Sequence, residues 1–340
     1  IMAAGKSTRT YPLTLTKPKP LLKAANKTIL EHNLDNLNGI ADEIILIVGY
    51  KKNLIKKYIG NKYKNIKIIY AEQKQQLGTA NALSAAERHI KGRFILMAGD
   101  DIYSREDIKH CAKYNYSILT AKTKNPQNFG VIVEKNGILV NFVEKPKKFI
   151  SNLISTSLYC MDKKIFECLK QVKKSKRNEF EIPDAIKLLS KKNSIYCVPS
   201  KRWIPIAYPW DLLKADRILR KGKTLIGKNL KITGKVKNSA IGDNCTINGN
   251  VENSVVMDNS IIGRNSIIQD SVIGENVHFS GKIMSKNNAY SIVKGKKIKT
   301  GRLGAIIADN AMIKNAIILP GCKIWPDKSI PNKVIKKDVI

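Results

Sequence analysis

The 340 residues exceed one ordinary core, and 43% apolar with 26% charged residues is the composition of a folded chain, not a disordered, collagen-like or mucin-like one. No apolar run approaches the ~18 residues needed to cross a bilayer, and the N-terminus lacks the charged-then-apolar order of a secretory signal, so a cytoplasmic protein of two domains without a membrane partner is expected. The formal charge of +34 would draw any polyanion, yet 41 bases and 19 acids in residues 1–220 against 20 and 8 in the remainder spread the excess evenly.

With no basic arm or stripe beyond Lys294 to Arg302, and with only 6% aromatic residues to stack bases, no nucleic-acid partner is expected. Anionic small substrates would benefit from the same field. From the N-terminus, Ile44 to Val48, Ile66 to Tyr70, Phe94 to Ala98, Ser117 to Ala121, Gly130 to Glu134 and Leu139 to Glu144 read as strands. Thr28 to Asn38, Thr79 to His89 and Arg105 to Cys111 read as helices between them, followed by Asp184 to Leu189 and Asp211 to Arg220. Such alternation predicts an α/β fold with a Rossmann-like, mainly parallel sheet, whose ligands collect beyond the carboxyl ends of the strands.

Beyond Arg220 branched aliphatics recur at steps of six: Ile226 and Ile232, Ile241 and Ile247, Val256, Ile262 and Ile268, Ile273 and Phe279, then Ile307, Ile313 and Leu319. Gly, Asn, Asp and Ser crowd the positions between. That step suits a short strand plus a corner repeated around a coil, with each aliphatic stacked on its equivalent one coil away. A β-helix of hexapeptide repeats is expected over residues 221–340, with residues 1–220 as the other domain. The spacing slips between Ile247 and Val256, and a polar, lysine-rich loop interrupts it at 280–303. The six cysteines, never closer than eight positions and without a CxxC pair, argue against structural zinc and against a disulfide scaffold.

Ala3-Ala4-Gly5-Lys6-Ser7-Thr8-Arg9 invites comparison with a P-loop, but Pro12, Pro18 and Pro20 prevent the helix a P-loop requires. A small-residue loop still lets backbone N–H groups approach an anion, and Arg9 and Lys19 add positive charge nearby, which together make a triphosphate cradle.

The run Ala4 to Thr14, continued by Lys17-Pro18-Lys19-Pro20-Leu21, resembles the signature of sugar-1-phosphate nucleotidylyltransferases, with Ser7 where that family usually has Gly. The family's first strand begins several residues earlier, so the resemblance implies that its start is missing here. Further landmarks follow in family order across nearly all of residues 1–220. Gln73 with Gln76-Leu77-Gly78-Thr79 resembles the loop that reads a pyrimidine base, which implies nucleotide binding by Ala3, Ala4, Gly5, Gln73, Gly78 and Thr79. Phe94 to Asp100 and Tyr208-Pro209-Trp210-Asp211 resemble the segments that deliver metal-binding carboxylates, implying Mg²⁺ on Asp100 and Asp211. Phe129-Gly130-Val131 and Val143-Glu144-Lys145-Pro146 resemble the sugar-side loops, implying sugar contacts from Gly130 and Glu144 and a catalytic trio of Arg9, Lys19 and Lys145.

The implied reaction is attack of a sugar 1-phosphate on the α-phosphorus of UTP or dTTP, with pyrophosphate leaving and a nucleotide sugar formed. Two unit charges ~4 Å apart cost about 4 kcal/mol at an effective dielectric of 20, so local cations are the first requirement, and a hard ion wants carboxylate oxygens. A phosphate monoester is already ionised near neutral pH, so no general base is needed. Duller readings stand beside these. Asp101 competes with Asp100, either acid could cap the helix after it, Asp211 could serve only as an N-terminal helix charge, and Lys145 as one more surface lysine. His32, His89, His110 and His278 read as structural. Ser155-Thr156-Ser157 departs from the Asn-Ala-Gly common in the family before Leu158-Tyr159, leaving glucose 1-phosphate and N-acetylglucosamine 1-phosphate both open as acceptors.

Archaeal relatives of this layout are often bifunctional, with a left-handed β-helix that acetylates an amino-sugar 1-phosphate from acetyl-CoA. Lys294 to Ile307 resembles their loop, but the Arg-His-Asp unit they carry before it is absent, and an oligomerisation and spacing module is the preferred reading. The resemblance implies a homotrimer or hexamer through the β-helix. The same plan also resembles non-catalytic subunits of a translation-initiation exchange factor, against which the joint retention of Arg9, Lys19, Asp100, Lys145 and Asp211 weighs.

Overall fold

The computed structural model describes all 340 residues, Ile1–Ile340. Contacts within it cluster into two compact units, Ile1–Gly5 with Leu30–Ile204, and Lys6–Ile29 with Pro205–Ile340.

In the first unit, strands Met2–Ala3, Glu43–Val48 and Ile66–Glu72 pair in parallel, and the antiparallel Lys62–Tyr63 closes that edge. A parallel bridge from Met2 to Ala98 carries the sheet on to Phe94–Met97. Antiparallel strands then enter: Leu153–Met161 pairs with both Phe94–Met97 and Ser117–Lys122, and Gly130–Lys135 pairs with Ile138–Glu144. Tyr196–Pro199 runs parallel to Ser117–Lys122. Every strand expected from β-branched runs forms within one or two residues of its expected bounds. Leu153–Met161 was not anticipated, because Ser155, Thr156 and Ser157 interrupt its apolar run; the register to Ser117–Lys122 shifts there, where Ser157 takes a left-handed φ of 65°. The expected helix over Thr79 to His89 is shorter, Thr79–Ser84, with a 3-10 turn at Glu87–His89. Helices Thr79–Ser84, Lys164–Leu169 and Ile182–Ser190 pack Leu83, Ile165, Phe166, Ile182 and Ile186 into the core beneath the sheet.

In the second unit the chain coils into a parallel β-helix. Ile226, Ile241, Val256, Ile273, Ile307 and Ile324 are successive register partners on one face. Ile232, Ile247, Ile262, Phe279, Ile313 and Ile330 are partners on the next. The third face stacks Val236, Val251 and Ile268, then Ile283, Ile318 and Ile335. Ile318 therefore fills the inward position that the spacing gave to Leu319, which is only partly buried. The slip between Ile247 and Val256 is a tightened corner at Asn248-Gly249, where an added Cβ on Gly249 would lie 2.7 Å from Ser266 O.

Asparagine occurs at the corners because it tolerates a left-handed φ. Asn229, Asn244 and Asn259 all have φ between 54° and 60°, and their side-chain amides ladder from coil to coil at 3.2 Å. The interruption at 280–303 is not merely a loop. Tyr290–Val293 and Lys296–Lys299 pair antiparallel around Lys294 and Gly295, both at positive φ as a tight hairpin requires. All six cysteines are free thiols, and burial pushes Cys245 and Cys322 up to about 11. No helix is long and apolar enough to cross a membrane.

Candidate active site

In the first unit the small-residue loop leaves the end of Met2–Ala3. Ala3 and Ala4 are buried, and the Ala4 carbonyl accepts N–H groups from Tyr50 and from the Gln76 side chain, both at 2.9 Å. Gly5 has nothing within 4 Å of the place a Cβ would occupy, so a ligand can approach its backbone.

Gln73 is buried, and its Nε2 donates to Gly78 O at 3.0 Å and to Asn81 Oδ1 at 2.9 Å. These bonds tie the loop to the end of Ile66–Glu72. Gly78 has φ 105°, and an added Cβ would lie 2.9 Å from Phe180 N. Phe180 N–H in turn donates to Leu77 O at 2.8 Å, Ala80 N–H to Phe180 O at 3.0 Å, and Ile182 N–H to Thr79 Oγ1 at 3.1 Å. Thr79 therefore anchors Ile182–Ser190.

Asp100 and Asp101 follow Phe94–Met97. Gly99 is required by close approach: its N–H donates to Met2 O at 2.8 Å, and an added Cβ would lie 2.9 Å from Ile1 Cγ2. Neither acid caps the next helix; Ser104 does, its hydroxyl accepting from Asp107 N–H at 3.1 Å. Trp203 Nε1 donates to Asp101 Oδ2 at 3.1 Å, which gives Asp101 a structural partner. Both acids act on Tyr103, whose phenol is held protonated, well above its usual range, first by burial and then by the charges of Asp101 and Asp100. Its hydroxyl donates to Thr156 O at 2.5 Å. Tyr103→Phe leaves that buried carbonyl unpaired, and an expected loss of about 1–3 kcal/mol is checked by urea denaturation.

Gly130 pairs with Glu144, and its missing side chain makes room for Glu144 Oε2, 2.9 Å from the position of a Cβ. Lys145 has φ 43°, and its Nζ lies 3.1 Å from Glu144 Oε1. Arg177 joins this pair with Nη2 3.6 Å from Glu144 Oε1, while Nη2 and Nε hold Glu181 Oε1 at 2.8 and 3.0 Å. Arg177 was not among the expected residues, because it sits in a run of lysines and has no spacing that would single it out. Glu144, Lys145 and Arg177 together form a mixed-charge cluster suited to a hydroxylated anion.

Arg9, Lys19 and Asp211 belong to the second unit. Thr10 and Thr14 are buried and donate to Ser7 O at 2.6 and 3.0 Å, which fixes the turn that presents the exposed Arg9. Lys19 starts the 3-10 turn Lys19–Leu21 and is buried. Asp211 stands in the first turn of Asp211–Leu219, where its Oδ2 accepts N–H from Ala207 and from Tyr208, each at 2.8 Å. Burial raises its pKa, opposed by those two N–H groups and then by the charges of Lys19 and Lys214, so Lys19 and Asp211 are electrostatic neighbours. The carboxylate borders a cleft of about 650 Å³ that Lys214, Arg217, Lys299 and Arg302 also line.

No group of three or more His, Cys, Asp or Glu could enclose a metal ion. Zinc-like cages are thus absent, whereas Mg²⁺ commonly takes one or two carboxylates and completes its shell with water and substrate phosphates. Asp211, a partly buried carboxylate that borders the cleft, fits that pattern.

The nucleotidyl transferase family profile matches residues 1–221, and a GMPPB C-terminal domain profile matches residues 219–340. The chain is 34% identical over 398 aligned positions to "Bifunctional protein GlmU" of Methanococcus vannielii, covering all of this chain and 95% of the relative. It is also 34% identical to the UTP–glucose-1-phosphate uridylyltransferase AglF of Haloferax volcanii, over 66% of this chain and 97% of that one. A UDP-glucose pyrophosphorylase crystal structure shares the fold with TM-score 0.58 at 22% identity, covering 65% of this chain and 97% of that one. The chain belongs to the nucleotidyl transferase family. Within it, the chain is an enzyme of the sugar-1-phosphate nucleotidylyltransferase class.

Proposed function

We propose that the protein transfers a uridylyl or thymidylyl group to glucose 1-phosphate or N-acetylglucosamine 1-phosphate, releasing pyrophosphate, with residues 1–220 as the catalytic domain. The observation that carries this reading is the joint occurrence of a backbone-lined glycine loop followed by Arg9 and Lys19, a Gln73–Gly78 loop closed by the Gln73 amide, and a Glu144, Lys145 and Arg177 cluster. In this reading, Ala3, Ala4, Gly5, Gln73, Gly78 and Thr79 receive the nucleotide, and Gly130 and Glu144 receive the sugar. Lys145 holds the sugar phosphate, while Arg9 and Lys19 neutralise the departing pyrophosphate. Asp100 and Asp211 would hold Mg²⁺, which supplies charge neutralisation and alignment of the reacting phosphates.

A panel of UTP, dTTP, ATP and GTP crossed with sugar 1-phosphates, scored by pyrophosphate release, tests it. Turnover confined to a pyrimidine triphosphate and one of the two named acceptors is the expected result; release only with a purine triphosphate would overturn the base assignment. The bifunctional names of relatives such as the one from Methanococcus vannielii favour a second activity, acetyl transfer in the β-helix. Appearance of free CoA from acetyl-CoA and glucosamine 1-phosphate supports it, and none at any enzyme concentration rejects it. Outward-facing Ile261 and Met312, register neighbours of His278, supply apolar surface for the homotrimer or hexamer expected of such coils.

A further inference from the structure

Lys6–Ile29, the segment that carries Arg9 and Lys19, packs with the β-helix rather than with the strand that precedes it. The attachment is ionic and buried. Lys17, 8% exposed, places Nζ 2.6 Å from Glu275 Oε1 and 3.0 Å from Asp309 Oδ2, and Thr16 Oγ1 donates to the same Asp309 oxygen at 2.6 Å. Lys23 pairs with Asp258 Oδ2, and Asn26 Nδ2 donates to Ile241 O at 2.7 Å. Asp243, Asp258 and Asp309 occupy equivalent corners of different coils. Each uses Oδ1 to accept a backbone N–H from the neighbouring coil: Lys228 for Asp243, Asp243 for Asp258, and Glu275 for Asp309. Asp258 and Asp309 then spend Oδ2 on a lysine of the segment, whereas Asp243 takes none.

We infer that this carboxylate column is a positioning device for nucleotidyl transfer. The β-helix holds Lys17 and Lys23 on either side of Lys19, so the backbone that carries Lys19 is fixed within the second unit. Coils of β-helix thereby become part of the catalytic apparatus, an addition that rests on the function proposed above. Lys17 and Asp309 are positioning residues, since neither is assigned a contact with substrate.

Asp309→Asn is the cleanest probe, because the amide oxygen can still accept from Glu275 N–H while one of the two carboxylate charges that hold Lys17 is lost. Asp243→Asn is its control in the same column. Lys17→Met and Lys17→Arg complete the set. Amide hydrogen exchange on the full chain reads attachment directly through Leu21 and Leu22, whose N–H groups bond Pro18 O and Lys19 O at 2.9 Å. Expected in Asp309→Asn and Lys17→Met are faster exchange over Leu13 to Lys23 with the remaining coils still protected, and kcat for pyrophosphate release lowered by about 10- to 100-fold. The KM for the sugar phosphate stays the same. Lys17→Arg recovers turnover to within about threefold, because it keeps the charge. Asp243→Asn changes neither readout. Unaltered exchange in both Asp309→Asn and Lys17→Met overturns the inference, as does loosened exchange with full turnover. A wild-type chain inactive on every substrate pair would instead remove the proposed function, and with it any positioning role, even if exchange showed the segment held.

Discussion

Asp211→Asn is expected to lower pyrophosphate release by roughly a thousandfold, and Asp100→Asn by a similar factor, within the range that loss of a charge-stabilising group at a phosphoryl-transfer centre produces. The substitution is well controlled at Asp211. An asparagine oxygen can still accept from the N–H groups of Ala207 and Tyr208, so the turn entering Asp211–Leu219 keeps its bonds and only the charge is lost. Burial already favours the neutral form of this carboxyl, and Lys19 opposes that preference. A divalent cation would complete the opposition by stabilising the ionised form, so the charge at Asp211 is worth most when substrate and metal are bound. The measurement is turnover at saturating Mg²⁺, beside far-UV circular dichroism to show an intact fold. Retention of more than about a tenth of wild-type turnover by both variants would remove the metal assignment.

Gly78→Ala should be the most damaging single methyl in the first unit. A φ of 105° already excludes an L side chain, and the new Cβ would meet backbone atoms of Phe180, which cannot swing away as a side-chain tip could. Relief requires Leu77 to Ala80 to separate from Phe180 to Ile182, which breaks the bonds from Phe180 N–H to Leu77 O and from Ala80 N–H to Phe180 O. The amide of Gln73, which donates to Gly78 O, then loses its orientation. A cost of about 3 kcal/mol and a rise of at least about tenfold in KM for the triphosphate are expected, the KM for the sugar phosphate changing little. Chemical denaturation and steady-state kinetics read the two effects separately. A variant of wild-type stability and unchanged KM would show that the loop has no part in holding the nucleotide.

The sequence revealed different parts of the molecule to different depths. Parallel strands such as Glu43–Val48 announced themselves as β-branched runs because both faces of such a strand are buried. The inward columns of the β-helix were visible as a six-residue step, since Ile241 to Ile247 and Ile273 to Phe279 do lie that far apart on adjoining faces. What stayed hidden was set by tertiary partners. Leu153–Met161 is a strand although hydroxyl residues interrupt it, because Ser155, Thr156 and Ser157 satisfy their polar groups against Tyr159, Leu119 and one another. The hairpin at Tyr290–Lys299 was concealed by its lysines, whose charge reads as loop although Ser291 and Val293 turn inward.

The candidate site shows the same division. Short motifs, such as Gly78 beside Gln73, were legible because their spacing carries a family resemblance. Arg177 was not, since its value comes from Glu144, which is distant in sequence. Nor did anything in the order of residues show that Lys17 would meet Asp309; a lysine in a chain of net charge +34 is the least informative residue it has.

The transfer itself is the step to measure, in which a sugar 1-phosphate is expected to take the nucleotidyl group as pyrophosphate departs. Purified full-length protein should be given a pyrimidine triphosphate, glucose 1-phosphate or N-acetylglucosamine 1-phosphate, and Mg²⁺, with pyrophosphate and nucleotide sugar quantified together. Equal amounts of the two products are predicted, dependent on both substrates and abolished by a chelator. Triphosphate cleavage that yields inorganic phosphate, or that proceeds as fast without the sugar phosphate, would contradict it.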